Sequence, residues 1–221
     1  MIGGLVQPGY SFDSQYISEL AGHPTRDPWI VQAGIAIWGL GFIALAGAVA
    51  VGMRSRPART WIVVLLVVLG IAGVCEAFLQ LDCYTSVSLA CRHAGEAGQL
   101  SWHHNAHEWI AILTEPGPIL ISLLVARIVW PHPVAWLPIA GAAFGILLGI
   151  AGFVADTGDP SSLPEHAGVA QRSGVLALNG GVCLLALGLI AVPRLERAGL
   201  VASGRSGRSR GSDERPGRAP T

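Results

Sequence analysis

The sequence contains no lysine: all 14 of its basic residues are arginine, a pattern of codon usage rather than of chemistry. Charge of either sign is scarce, at 13% of residues, where soluble domains carry about 25%. The formal net charge is zero, which excludes the broad basic field of a nucleic-acid-binding protein. The first 28 residues hold no apolar core long enough for a cleavable signal peptide. What the chain has in quantity is apolar surface: 52% of its 221 residues are hydrophobic, and the mean hydropathy is +0.53.

Much of that apolar content is gathered into five stretches long enough to cross a bilayer, which takes roughly 20 helical residues at about 1.5 Å rise each. They run from Trp29 to Gly52, from Trp61 to Leu81, from about His107 to Trp130, from Val134 to Ala155 and from Gly174 to Val192. Glycine and alanine recur in each, as expected where small residues let membrane helices pack closely. The expected fold is therefore an all-α, polytopic transmembrane helix bundle with five spans. Residues 1–28 form an N-terminal segment, 29–193 the bundle, and 194–221 a disordered, arginine-rich tail.

Arginine placement orients this bundle. Arg54, Arg56 and Arg59 follow the first span, and Arg127 ends the third. Arg194, Arg197, Arg205, Arg208, Arg210, Arg215 and Arg218 follow the fifth. An odd number of spans puts these eleven on one side and Arg26, Arg92 and Arg172 on the other. The positive-inside rule then makes the C-terminus cytoplasmic and the N-terminus external, in a multi-pass plasma-membrane protein.

With that orientation the outer face collects six of the seven histidines; His132 alone falls inside. The richest segment is "DCYTSVSLACRHAGEAGQLSWHHNAHE", residues 82–108. Cys83 and Cys91, eight apart in an oxidising compartment, are expected to form a disulfide, closing a loop at a gain of about 2–3 kcal/mol in the entropy model. Free thiols and metal ligation are the alternatives. Cys75 and Cys183 lie within spans, where cysteine acts as a small apolar residue. If the third helix starts near Ser101, His103 and His107 lie four apart on one face. With Asp82 and His166 they make a candidate zinc set of nitrogen and oxygen ligands. An HxxxH spacing alone is weak, and the same residues at a membrane boundary read equally as interfacial polar groups.

Glu76 and Glu115 fall inside expected spans, where a charge costs about 2.5–3.5 kcal/mol and calls for a partner. Glu115 precedes "PGP", whose prolines bend a helix by removing backbone donors. Arg172 is the expected partner of Glu76 or Glu108.

"PGYSFDSQYISELAG", "LDCYTSVSLAC", "ISLLVARIVW" and "GVAQRSGVLALNGG" together resemble a prokaryotic membrane family called domain of unknown function 998. The resemblance covers most of residues 8 to 193. It implies a helix bundle with an external Tyr-Ser segment, but no established activity. It also implies six helices, the first of which would precede Tyr10. The chain is therefore either read from a late start or is a five-helix variant. In residue type, though not in motif order, the outer face more distantly resembles zinc-dependent membrane hydrolases of the alkaline ceramidase and adiponectin receptor type. That resemblance implies His103, His107 and Asp82 with Ser18 or His166.

Three functional readings follow. One is a binding, sensing or assembly protein in which Tyr10, Ser18 and Glu19 cap the bundle and the partner is a lipid or an extracytoplasmic ligand. The second is a zinc-dependent hydrolase of a lipid or lipid-linked substrate, with Ser18, Glu19 and Glu115 as candidate catalytic residues. The third is a carrier using Glu76 and Glu115, against which stands the lack of a visible inverted repeat.

Overall fold

The computed structural model describes residues 2–53, 57–131, 133–156, 163 and 166–197. Arg54, Arg56, His132 and the tail beyond Arg197 lie outside them. Among the described residues the chain is all helix and turn: α1 (Ile2–Val6), α2 (Trp29–Gly52), α3 (Pro57–Glu76), α4 (Leu89–Glu96), α5 (Trp102–Thr114), α6 (Pro116–Val129), α7 (Trp136–Asp156) and α8 (Ala167–Arg197). Four spans are long and apolar enough to cross a membrane: α2, α3, α5 continued by α6, and α8 over Ala167–Gly188. Trp136–Leu148 of α7 adds a shorter apolar helix.

These helices are apolar outside as well as inside. Ile37, Leu40, Val64, Val68, Ile71, Leu147 and Leu176 are all exposed, a distribution that suits hydrocarbon rather than water. The interior is a cluster of Phe42, Ala46 and Val49 from α2, Ile62, Leu66 and Leu69 from α3, Ile121 and Val125 from α6, and Val182 and Leu185 from α8. Lipid is as apolar as leucine, so association here depends on close packing more than on removal from water. Glycine supplies the closeness. A Cβ on Gly39 of α2 would stand 2.7 Å from the Gly70 carbonyl oxygen of α3, and one on Gly181 of α8 would stand 2.0 Å from Ser122 Oγ of α6.

Three boundaries at the polar end of the bundle differ from the sequence expectation. The second span ends at Glu76 instead of Leu81, although the apolar run continues. Phe78 N–H donates to the Cys75 carbonyl and Leu79 N–H to that of Glu76, tightening the last turn. The carbonyls of Leu79 and Leu81 are then taken by His107 and by the His23 N–H. Glu76 is thus the last residue of α3, not one buried five residues inside it. The third span begins at Trp102, capped by Ser101 Oγ, which accepts the His104 N–H. It breaks at Glu115, where Pro116 and Pro118 provide no backbone donors. The fifth begins seven residues early, at Ala167, which places Arg172 in its second turn.

Candidate functional site

The polar chemistry gathers at one end of the bundle, where the segment before α2, the 77–101 connection and the start of α8 fold into a cap. At its centre is Glu19, on a 3-10 turn over Ser18–Ala21, with 1% of its surface exposed. The Ser86 N–H donates to Glu19 Oε1 (2.8 Å), and Ser86 Oγ–H (2.5 Å) and Tyr16 N–H (3.2 Å) donate to Oε2. Burial holds this carboxyl above the ordinary glutamate range, and the Ser86 and Tyr16 donors oppose that rise. The Glu19 carbonyl accepts from Thr25 Oγ1, which also shares a 2.6 Å hydrogen bond with the Tyr84 hydroxyl. The serine that meets Glu19 is therefore Ser86, sixty-seven residues away; Ser18 only opens the turn.

Ser86 is held in a short loop. The sulfurs of Cys83 and Cys91 stand at disulfide bonding distance, with Cα atoms 5.9 Å apart, and bracket Tyr84 and Ser86. Cys91 is buried in α4, whose first turn is capped by Ser88 Oγ. Cys75 and Cys183 are free.

The start of α8 clasps the N-terminal segment from the other side. Arg172 donates to the carbonyls of Phe12 (2.8 Å) and Gln15 (3.1 Å) and to the Tyr10 hydroxyl. Its guanidinium also lies over the Tyr10 and Phe12 rings. Gln171 Oε1 accepts the Ile17 N–H at 2.6 Å. Burial pushes the Tyr10 hydroxyl above its usual pKa, with Arg172 acting in the opposite direction. The expected pairing of Arg172 with Glu76 or Glu108 is thus replaced. The five donors of a planar guanidinium let Arg172 serve the Phe12 and Gln15 carbonyls and the Tyr10 hydroxyl at once.

The histidines divide by face. Asp82 accepts the Ser101 N–H (2.6 Å) and Oγ–H (2.8 Å). The little burial it has raises its pKa, but the Ser101 hydrogen bonds outweigh it and hold the carboxyl below the usual aspartate range. His104, fully buried, accepts the Asp82 N–H on Nδ1 (3.1 Å), so its proton sits on Nε2, 3.1 Å from Glu108 Oε1. His107 donates from Nδ1 to the Leu79 carbonyl (2.8 Å). Its Nε2 stands 3.3 Å from Glu76 Oε1, within ion-pair distance but without hydrogen-bond geometry. His103 lies on the exposed side, against Trp102 and Ser101 Oγ. The inward pair is therefore His104 with His107, not His103 with His107.

His166 is engaged elsewhere, 2.7 Å from Asp13 Oδ1 at the exposed rim. The candidate zinc set of Asp82, His103, His107 and His166 is not brought together, and among the described residues no three His, Cys, Asp or Glu side chains are grouped to hold a metal ion. Glu115 stays exposed at the α5–α6 junction.

Residues 1–188 match the family described as "Protein of unknown function (DUF998)". The chain belongs to this family. No curated protein and no solved structure matches it. In this DUF998 protein the site residues outside the sequence-based candidate set are Ser86, Thr25, Tyr84, Gln171 and His104. Of these, His104 carried a readable signal, since a helix capped at Ser101 places its third residue beside the cap. Ser86 stands among similar small polar residues in "YTSVS" and has no signal of its own.

Proposed function

We propose that this DUF998 protein is a multi-pass membrane protein whose polar end is a non-catalytic, extracytoplasmic cap with a binding, sensing or assembly role. One observation carries this reading: Glu19 is 1% exposed, and both its oxygens accept hydrogen bonds from Ser86 and Tyr16. A general base must come within hydrogen-bond reach of its substrate, and this buried carboxyl instead holds two segments of the chain together. Asp82, His104 and Arg172 are engaged in the same way with backbone groups. The external placement is supported by the arginine asymmetry. It is also supported by the Cys83–Cys91 pair, since disulfides persist in oxidising compartments. A reporter fused after Thr221 is expected to be active in the cytoplasm alone.

The alternative, zinc-dependent hydrolysis of a lipid or lipid-linked substrate, requires Asp82, His103, His107 and His166 to converge on one ion. The deciding measurement is the metal content of the detergent-purified protein, beside a His103→Ala/His107→Ala variant. The cap reading expects no stoichiometric zinc in either, and a lower unfolding temperature in the variant. Near-stoichiometric zinc that disappears in the variant would overturn it in favour of the hydrolase.

A further inference from the structure

Between the N-terminal segment and the disulfide loop lies an open cleft of about 160 Å³, lined chiefly by Gln7, Pro8, Tyr10, Gln15, Tyr84 and Val87. Both tyrosine hydroxyls are already engaged. That of Tyr10 donates toward the Gln15 and Tyr16 carbonyls and accepts from Arg172, and that of Tyr84 pairs with Thr25. The rings, Pro8 and Val87 therefore provide an apolar lining, and its polar part is the two glutamine amides.

Those amides are oriented. Gln15 Oε1 accepts the Ser11 N–H at 2.9 Å, and Gln7 Oε1 accepts the Arg26 N–H at 2.8 Å. A backbone N–H can only donate, so in each glutamine the oxygen is fixed and the NH2 group is left over. Neither Nε2 makes a hydrogen bond among the described residues. Gln15 is 5% exposed and Gln7 half-buried, and both line the cleft. An amide donor without a protein partner calls for water or a ligand to meet it. The two glutamines border a space that a ligand could fill.

The size and chemistry of the space narrow its occupant. A cavity of roughly 150 Å³ holds one benzene-sized ring, and because this cleft is open the substituents of such a ring can stand outside it. No charged side chain lines this one, so the occupant is neutral. The donors ask for acceptor oxygens, and the tyrosine and proline surfaces ask for carbon. We propose that the cleft binds a single neutral, oxygen-bearing six-membered ring, the chemistry of one pyranose residue. Its hydroxyl oxygens would accept from Gln7 and Gln15, and its carbon face would pack on the aromatic lining. This deepens the proposed binding role and rests on it.

The test uses the full chain in lipid nanodiscs and saturation-transfer NMR, with the methyl glycosides of glucose, galactose and mannose as probes. Transfer from the protein to the ring protons of at least one probe is expected. Gln7→Glu and Gln15→Glu each keep an acceptor for Arg26 or Ser11 but replace the donating NH2. Each is expected to weaken that probe about tenfold. If the buried charge prevents Gln15→Glu from folding, the half-buried Gln7 position still decides the outcome. Absence of transfer from all three probes overturns the proposal, as do binding unchanged in Gln7→Glu and equal binding of charged glucuronate. Failure here would leave the zinc result standing. Conversely, zinc in the wild type together with probe binding that depends on Gln7 would overturn the non-catalytic reading alone.

Discussion

Glu19 in the cap and Leu66 in the bundle are buried to nearly the same degree, at 1% and 0% exposure, yet opposite interactions hold them. Leu66 belongs to an apolar cluster with Phe42, Ile62 and Ile121, joined by packing alone. Around Glu19 each oxygen is claimed by a donor of the remote Ser86, and Oε2 also by the neighbouring Tyr16 N–H. The contrast follows from the two solvents. A membrane helix that loses a packed methyl group exposes nothing to water, so its penalty is lost packing. A cap that loses its carboxylate leaves buried donors with no water to replace it. Burial therefore measures something different at the two ends of this molecule.

Substitution at Glu19 should break the comparison most severely. Glu19→Ala strands Ser86 and Tyr16 donors together and is expected to cost about 3–5 kcal/mol, in line with removing one partner of a buried network, read as a fall in the unfolding midpoint in detergent. Recovery of stability in an added Ser86→Ala is expected to be partial, because the Ser86 and Tyr16 N–H groups remain unpaired. Glu19 also sets a pH dependence. The folded protein binds this proton more tightly than the unfolded chain does, so the residue's contribution is full below the ordinary value of about 4.3. That contribution is lost as pH rises through the raised folded value. Midpoints measured from about pH 4 to about pH 7 should fall more for wild type than for Glu19→Gln, which has no such proton. Equal slopes would mean that the carboxyl is not perturbed.

Removing the Cys83–Cys91 crosslink, by reduction or by Cys83→Ser/Cys91→Ser, is expected to cost about 2–3 kcal/mol. The effect should be confined to the cap, as hydrogen exchange of Ser86 against the α2 and α3 amides would reveal. Leu66→Ala should cost about 2 kcal/mol, at the low end for such truncations, because packing is lost without a gain of exposure to water. A value near 5 kcal/mol would erase the distinction drawn here. At the small end, His103→Ala removes an exposed ring and should stay within about 0.5 kcal/mol. His104→Ala, which strips partners from both Asp82 N–H and Glu108, should exceed it clearly in the same unfolding assay.

Legibility in the sequence was uneven for physical reasons. Trp29–Gly52 coincides with its helix from end to end, because an unbroken apolar run with no proline gives a bilayer-length helix nothing to stop it. Trp61–Leu81 overran, because the signal that ends α3 lies in His23 and His107, not in the run itself. The break at Glu115 was foreshadowed by the two prolines after it, and the Cys83–Cys91 pairing by a spacing of eight. A four-residue spacing brings His103 and His107 near one another without turning both inward. The inner face takes His104, held by the Asp82 N–H, and His107, held on the Leu79 carbonyl, and leaves His103 exposed.

By itself, then, the sequence determined an all-α bundle of bilayer-length helices and a pair of cysteines within reach of each other, since hydropathy, helix-breaking residues and short spacings act over a few neighbours. The tertiary structure alone decided that Glu19 meets Ser86, that Arg172 grips Tyr10 and the Phe12 carbonyl, and that Gln7 and Gln15 line one cleft. The reason is distance along the chain. The Glu19–Ser86 and Arg172–Phe12 partners lie 67 and 160 residues apart, and no local periodicity carries information over such a span.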